Sequence, residues 1–430
     1  MNAALDQPQS SANYPVEAPS MNRRFRSLFT VTFLLTAIAI ASTGTALAER
    51  STATAAEPVT IPFELVTRHI VVKVRINNSR PLSFVFDTGD KLGIVDTEVA
   101  KELGLRLEGQ LRVGGAGNDT LPGSFVKEAT WTLTGLGGFS QPITMSIPLG
   151  RMAARFGHDF DGIIGADFIR QFVVEVDYQN RVLKLHDKDK FAYTGKGESI
   201  PIEITPYGHP YLEAEITPIS GNPIKGKFVL DLGSGGSLVL MSPVVSEHNL
   251  IGDGTKTYRA IGVGGAGGQS TGQIGRVREL RLGSYKIADP FAMFSQDKAG
   301  AMASHALIGN IGQQVASKFR VYLDYSHDRI ILEPNATFAE KMDRAIAGLA
   351  LTTAGKDHET ISIAEVLENS PAAEAGLQKD DVIVDVDERS GNELTITRIL
   401  EMFEQPRQRK LTVKRGEQTL NLTLTPRKLI

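Results

Sequence analysis

Along most of the chain, short apolar runs are separated by clusters of Gly, Asn, Asp and Pro, the pattern of strands joined by turns rather than of long helices. Two of these runs, SFVFD at 83–87 and KFVLD at 227–231, mix aromatic and β-branched residues, and each predicts a strand buried on both faces. Gly89 and Gly233 then break the strands, so Asp87 and Asp231 fall on turns. Helical segments are minor: DTEVAKELGL at 96–105 and PVVSEHNL at 243–250. Beyond Pro334, FAEKMDRAIA at 338–347 predicts a short helix. Alternating strands follow at 348–353, 361–367, 380–387, 409–416 and 420–426. Between 395 and 405, Ile396, Ile399, Leu400 and Phe403 give one apolar face to a helix.

The chain repeats itself. PLSFVFDTGDKLGIVD, VGGAG, DGIIGADF and FVVEVDYQNRVLKL occur in that order, and KGKFVLDLGSGGSLVL, VGGAG, ALIGNIG and FRVYLDYSHDRIIL follow in the same order. Asp231 follows Asp87 by 144 positions and Gly309 follows Gly165 by the same interval. The expectation is a mostly β protein: two pseudo-symmetric β lobes at 57–190 and 191–337, followed by a small α+β module at 345–428.

Composition narrows the function. A chain of 430 residues, 41% hydrophobic, has room for two or three cored domains. Its formal net charge of −3 and the lack of any long Lys or Arg run exclude the electrostatic footprint of a nucleic-acid binder. There is no cysteine, hence no disulfide, thiolate metal site or cysteine nucleophile. The 8 histidines form no H-x-x-x-H pair, GSGGS lacks the G-x-S-x-G spacing, and VGGAGG does not open a helix in a βαβ unit. At the N-terminus, MNRRFR precedes the apolar run 28–41 and then Ala46-Leu47-Ala48, the layout of a secretory signal cleaved before Glu49. The apolar run is shorter than the roughly 20 residues of a spanning helix. A leader over 1–48, export to the periplasm or beyond, and no stable membrane span after cleavage are therefore expected, with Met21 as an alternative start.

Two acids on equivalent turns of a pseudo-symmetric pair meet at the symmetry axis. Placed about 3 Å apart they share one proton. The ionised member can then take a proton from water while its protonated partner supports the oxyanion of a peptide carbonyl. FDTG at 86–89, LDLG at 230–233, IIG at 163–165 and LIG at 307–309 carry the resemblance: over 61–334 the chain resembles the pepsin and retropepsin superfamily of aspartic proteases. That resemblance implies catalytic Asp87 and Asp231, supported by Thr88, Gly89, Gly233, Ser234, Gly165 and Gly309. It also implies a peptide or protein substrate, no metal, no organic cofactor, and a monomer sufficient for a complete dyad. Leu232 departs from the family's Thr or Ser, which removes half of the bracing between lobes. Asp90 adds a third carboxylate that either raises the dyad pKa or faces solvent and caps the 96–105 helix; the solvent reading is preferred. The VGGAG segments, with Gly114, Gly115, Gly264 and Gly265, are either substrate-covering flaps or ordinary hairpin turns.

From NSPAAEAGLQKDDVI at 369–383 onward, and in the order of its strands, the C-terminal module resembles a bacterial PDZ domain. The resemblance implies a C-terminal peptide ligand held by Gly348, Leu349, Ala350 and Leu351 beside Ile399 and Phe403. Ala350 stands in place of a usual Gly, and Asp380 in place of another. The leading expectation is an exported aspartic endopeptidase with assisted substrate or partner capture. The alternatives are a non-catalytic peptide-binding scaffold with a decayed site, and a structural envelope protein.

Overall fold

The computed structural model describes residues 57–430 apart from Asn118 and Asp253, so the leader expected over 1–48 lies outside the described residues. Strands make up 44% and helices 13%, the mostly β class that the apolar pattern predicts. Among the described residues no helix is long and apolar enough to cross a membrane.

The repeat builds the same sheet twice. In the first lobe the hydrogen-bonded neighbours run His69–Ile76, Leu82–Phe86, Gly162–Ile164, Ile94–Asp96, Met145–Ile147 and Thr120–Lys127. In the second they run Pro210–Thr217, Ile224–Leu230, Gly309–Ile311, Leu238–Leu240, Phe291–Ser295 and Gly272–Arg276. Each Asp-bearing strand thus has an antiparallel neighbour on one side and a short parallel strand on the other. Leu82–Phe86 is buried at every position, whereas in Ile224–Leu230 only Ile224 and the three residues next to the turn, Phe228, Val229 and Leu230, are buried.

The lobes are joined through the last element of each repeat. Phe172–Asp177 pairs antiparallel with Phe319–Asp324, Val174 opposite Leu323 and Val176 opposite Val321. Val182–Asp187 and Arg329–Pro334 flank this pair, and one apolar core runs through both lobes, including Phe86, Val176, Leu230 and Val321. The junction is therefore a continuous paired sheet over a shared core, which holds the two Asp turns relative to each other.

Asp96 holds the Thr97–Glu102 helix: one carboxylate oxygen accepts from the amides of Glu98 (2.8 Å) and Val99 (3.1 Å), the other from Leu149 (2.6 Å). The helix expected over 338–347 does not form. Residues 336–339 make a turn and 341–345 have no regular secondary structure. The buried Lys318 ammonium donates to the carbonyls of Thr337, Phe338 and Glu340, groups that a helix would use internally. Beyond this turn a separate core containing Leu351, Ile363, Ile399, Phe403 and Val413 holds a sheet in the order Leu349–Ala354, Thr360–Val366, Val382–Val386, Arg409–Arg415, Gln418–Leu424. Leu349–Ala354 is one of its edge strands. The helix beside it, Ile396–Phe403, is capped by the Thr395 hydroxyl accepting from the Arg398 amide.

Candidate active site

Each Asp is pinned by its own backbone. The Asp87 amide donates to the Ile164 carbonyl and the Asp231 amide to the Ile311 carbonyl, both at 2.9 Å. The turn then folds back: the Gly89 amide donates to Asp87 Oδ1 at 2.6 Å and the Gly233 amide to Asp231 Oδ1 at 2.9 Å. Both glycines are required by what they face. A Cβ on Gly89 would lie 2.9 Å from Asp231 Oδ1, and one on Gly233 would collide with the Asp87 carboxyl. The two carboxyls themselves come within hydrogen-bonding reach of each other.

Burial, then the charge of Asp231, then that of Asp90, push the Asp87 carboxyl well above the usual carboxylate range, an effect opposed by the Gly89 amide. Asp90 faces this cluster, contrary to the preferred expectation that it points to solvent and caps the following helix; Asp96 does the capping. Burial and the charges of Asp231 and Asp167 raise Asp90 to about 6. A histidine completes the group. The turn between Glu198–Ile204 and Pro210–Thr217 carries His209, whose ring lies near the Gly89 backbone and Asp231; burial lowers its pKa overall. Lys91 Nζ donates to the Pro206 carbonyl at 2.7 Å and anchors this turn to the first lobe.

Bracing between the lobes is asymmetric, as Leu232 predicts. The fully buried Thr88 hydroxyl donates to the Leu230 carbonyl (2.6 Å) and accepts from the Leu232 amide (2.9 Å). Leu232 returns nothing from its side chain. Its carbonyl instead accepts from Gln313 Nε2 at 2.6 Å, and Gln313 Oε1 accepts from the Tyr178 hydroxyl at 2.5 Å, so the second brace runs through a glutamine and a tyrosine.

Two sequence assignments are corrected. Gly309 pairs with Phe228 as Gly162 pairs with Phe84, so Gly309 is the counterpart of Gly162. The counterpart of Gly165 is Gly312: both are extended and both precede a short helix, Ala166–Ile169 and Gln313–Ala316. IIG therefore matches NIG at 310–312, three residues beyond LIG, and the identical spacing of Gly165 and Gly309 misled because ALIGNIG contains two glycines in the right phase. Ser234 supports Asp231 only through its backbone, its amide donating to the Asp231 carbonyl at 3.2 Å. The side chain that reaches the Asp231 carboxylate is Asn310, with Nδ2 2.5 Å from Oδ2.

Residues 72–168 match the aspartyl protease family. The matched stretch contains the first Asp turn and its IIG strand, and the second lobe repeats its topology. Residues 340–414 match the PDZ domain family. No curated protein matches the chain.

The Gly-rich segments of the two lobes meet each other. In the first lobe Arg106–Gly114 and Thr120–Lys127 form a long hairpin; in the second Gly264–Gly265 pairs with Gly268–Gln269. Across the tips, the Gly117 amide donates to the Ala266 carbonyl (3.2 Å), the Asp119 amide to Gly267 (2.7 Å) and the Ser270 hydroxyl to Ala116 (2.8 Å). A side chain on Gly115 or Gly117 would strike the opposite backbone, and Gly264 has φ +146°, whereas Gly114 has open space around it.

The edge of the PDZ domain is covered. The Gly150–Phe156 helix of the first lobe packs along Leu349–Ala354, with Thr353 Oγ1 donating to the Ala154 carbonyl at 2.9 Å. Gly157 abuts Ile396 at the start of the PDZ helix, and Ala350 abuts Gly262 of the second lobe. Gly348, with φ +80°, packs on Ser370, and Leu349, Leu351, Ile399 and Phe403 are buried in the domain's own core. None of the six predicted groove residues lines an open groove in this arrangement, because a helix sits where an added strand would run.

Proposed function

We propose that the protein is an exported aspartic endopeptidase that hydrolyses peptide bonds with a water activated between Asp87 and Asp231. The observation that carries this reading is the meeting of two carboxyls from equivalent turns, held by matched backbone bonds on a junction shared by both lobes. One carboxylate takes a proton from the water as its oxygen attacks the carbonyl carbon. The protonated partner gives its proton to the carbonyl oxygen; the carboxyl that took the water proton then gives it to the amide nitrogen while its partner takes one from a hydroxyl of the tetrahedral intermediate, so that the C–N bond breaks, the amine leaves and the dyad again holds one proton. The paired Gly-rich tips serve as flaps that part to admit an extended peptide and exclude water on closing. The PDZ domain supports capture of a substrate or partner, with its covered edge opening when that ligand binds. The Gln313–Tyr178 brace speaks against a decayed site, since it restores the contact that Leu232 does not make.

Asp87→Asn and Asp231→Asn are each expected to abolish cleavage of unstructured peptides while leaving the circular dichroism unchanged. If Asp231→Asn stays active and Asp87→Asn is dead, a homodimer of first lobes replaces the monomeric dyad. If neither matters, the activity lies elsewhere.

A further inference from the structure

Within each lobe the residue facing the Asp side chain from the neighbouring parallel strand is fixed by register. Ile163 lies opposite Val85 in the first lobe and Asn310 lies opposite Val229 in the second, each two positions before the respective Asp and on the same face of the strand. The two lobes therefore differ where the outer oxygen of each carboxylate is met. Ile163 is an apolar side chain, 2% exposed, packed with Val85 and Ile94. Asn310, 4% exposed, aims its amide nitrogen at Asp231 Oδ2 and leaves its own Oδ1 buried without a partner among the described residues.

An amide donor favours the ionised form of the carboxylate it touches, and the more so where water is excluded. The inner oxygens do not discriminate, because each takes one backbone amide from its own turn. The remaining groups around the pair do not set the asymmetry. His209, from the turn before Pro210–Thr217, lies near Asp231, but burial lowers its pKa and favours the neutral ring, and Asp90 repels the charge of both Asp87 and Asp231. Tyr325, buried below the pair on the segment after Phe319–Asp324, is close to both carboxyls and does not distinguish them.

We infer that Asn310 is a positioning residue that fixes the asymmetry of the dyad, holding Asp231 as the anion that takes the proton of the attacking water and leaving Asp87 as the acid that protonates the substrate carbonyl. The inference rests on the endopeptidase reading for its chemistry, but not for the location of the charge. An isoleucine at 310 is sterically reasonable because Ile163 fills the equivalent place, and the change removes a buried Oδ1 that has no partner.

The test is carried out on the full chain. Aspartate carboxyl carbons labelled with 13C are titrated in wild type, Asn310→Ile and Asn310→Ser, with the Asp87 and Asp231 signals assigned from their Asp→Asn variants, and the pH profile of kcat/KM is recorded in parallel. In wild type the lower midpoint is expected at Asp231. In Asn310→Ile that midpoint and the acidic limb of kcat/KM rise together by about one to two pH units, the span expected for loss of a hydrogen bond to a charged group. Asn310→Ser, which keeps a hydroxyl donor, moves both less. A lower midpoint at Asp87, or midpoints unmoved in Asn310→Ile while kcat falls, overturns the inference and makes Asn310 a packing residue. If the midpoints behave as stated but wild type cleaves no peptide, the endopeptidase reading fails and the assignment of the anion stands.

Discussion

Replacing Thr88 by Val tests whether the interlobe bracing stabilises the fold. The substitution keeps the shape of the side chain and removes its hydroxyl from a site that is fully buried. Two hydrogen bonds are lost, to the Leu230 carbonyl at 2.6 Å and from the Leu232 amide at 2.9 Å, and both backbone groups then face a methyl. Leaving a buried donor or acceptor unpaired costs about 1–3 kcal/mol each, so a loss of about 2–6 kcal/mol is expected. Thr88→Ser keeps the hydroxyl and removes only a methyl, which costs about 1 kcal/mol. Urea unfolding followed by the fluorescence of Trp131, the one tryptophan of the chain, buried in the first lobe against Phe139 and Phe168, reads both variants. Activity should fall further in the Val variant than stability alone explains at temperatures where both proteins remain folded, because the brace also sets the separation of the two Asp turns. Equal midpoints for Thr88→Val and Thr88→Ser would refute the reasoning, since they would mean that the hydroxyl bonds contribute nothing beyond the volume of the side chain.

Asp90→Asn should stabilise the protein at neutral pH by about 1–3 kcal/mol. The folded pKa of Asp90 is raised, so the native state binds this proton more tightly than the unfolded chain does; the stability it contributes is present below pH 3.8 and is lost as pH rises through about 6. Melting temperatures from pH 3 to 8 should fall less steeply in the variant, and parallel curves would count against a carboxyl held in this environment. Glu404→Gln should loosen the PDZ domain from the first lobe, because Glu404 is the carboxylate paired with both Arg68 and Arg344, and burial and Arg344 already push the Arg68 guanidinium down to about 10. Faster hydrogen exchange in 335–348 and in Leu349–Ala354, with the lobes unchanged, is the expected result; no change would show that the Gly157 and Thr353 contacts hold the domain by themselves.

What could be read from sequence was whatever depends on local pattern. The Asp turns, the duplicated order of elements, the two short helices after the turns and the PDZ helix at 396–403 all follow from apolar runs and breakers that act within a few residues. The helix expected at 338–347 was lost to a tertiary competitor, the Lys318 ammonium, which no local window contains. The assignment of Gly309 failed for a different reason. A motif of two apolar residues and a glycine is satisfied twice in ALIGNIG, and only the strand register with Ile224–Leu230 shows which copy closes the Asp turn. His209 was legible in principle, because His69 stands at the corresponding hairpin of the first lobe, packed against Gly235 much as the second hairpin packs against Lys91. The cover over the PDZ edge had no sequence signal at all, since GRMAARF reads as an ordinary short helix wherever it packs.

The duplication also shows where a single chain can gain what two identical copies cannot. In a symmetric pair every group near the dyad occurs twice, and neither carboxyl is distinguished from the other before substrate arrives. Here the copies agree wherever the backbone must hold the Asp turns: both Asp amides are satisfied at 2.9 Å, both turn glycines are sterically forced, and the paired strands of the junction keep one register. They differ at the side chains that touch the carboxyls or brace them: Thr88 against Leu232, Asp90 against Ser234, and Ile163 against Asn310. A drift that simply relaxed constraint would leave the Leu232 carbonyl and the Asp231 carboxylate without side-chain partners. Instead, the Leu232 carbonyl has gained Gln313, and the Asp231 carboxylate has gained Asn310 where the Ser234 hydroxyl does not reach it. Each loss of symmetry is matched by a new partner from the segment 310–313, the stretch displaced by three residues relative to the first lobe. The same displacement that hid Gly312 from a spacing argument is what places an amide, rather than an aliphatic side chain, against the second aspartate.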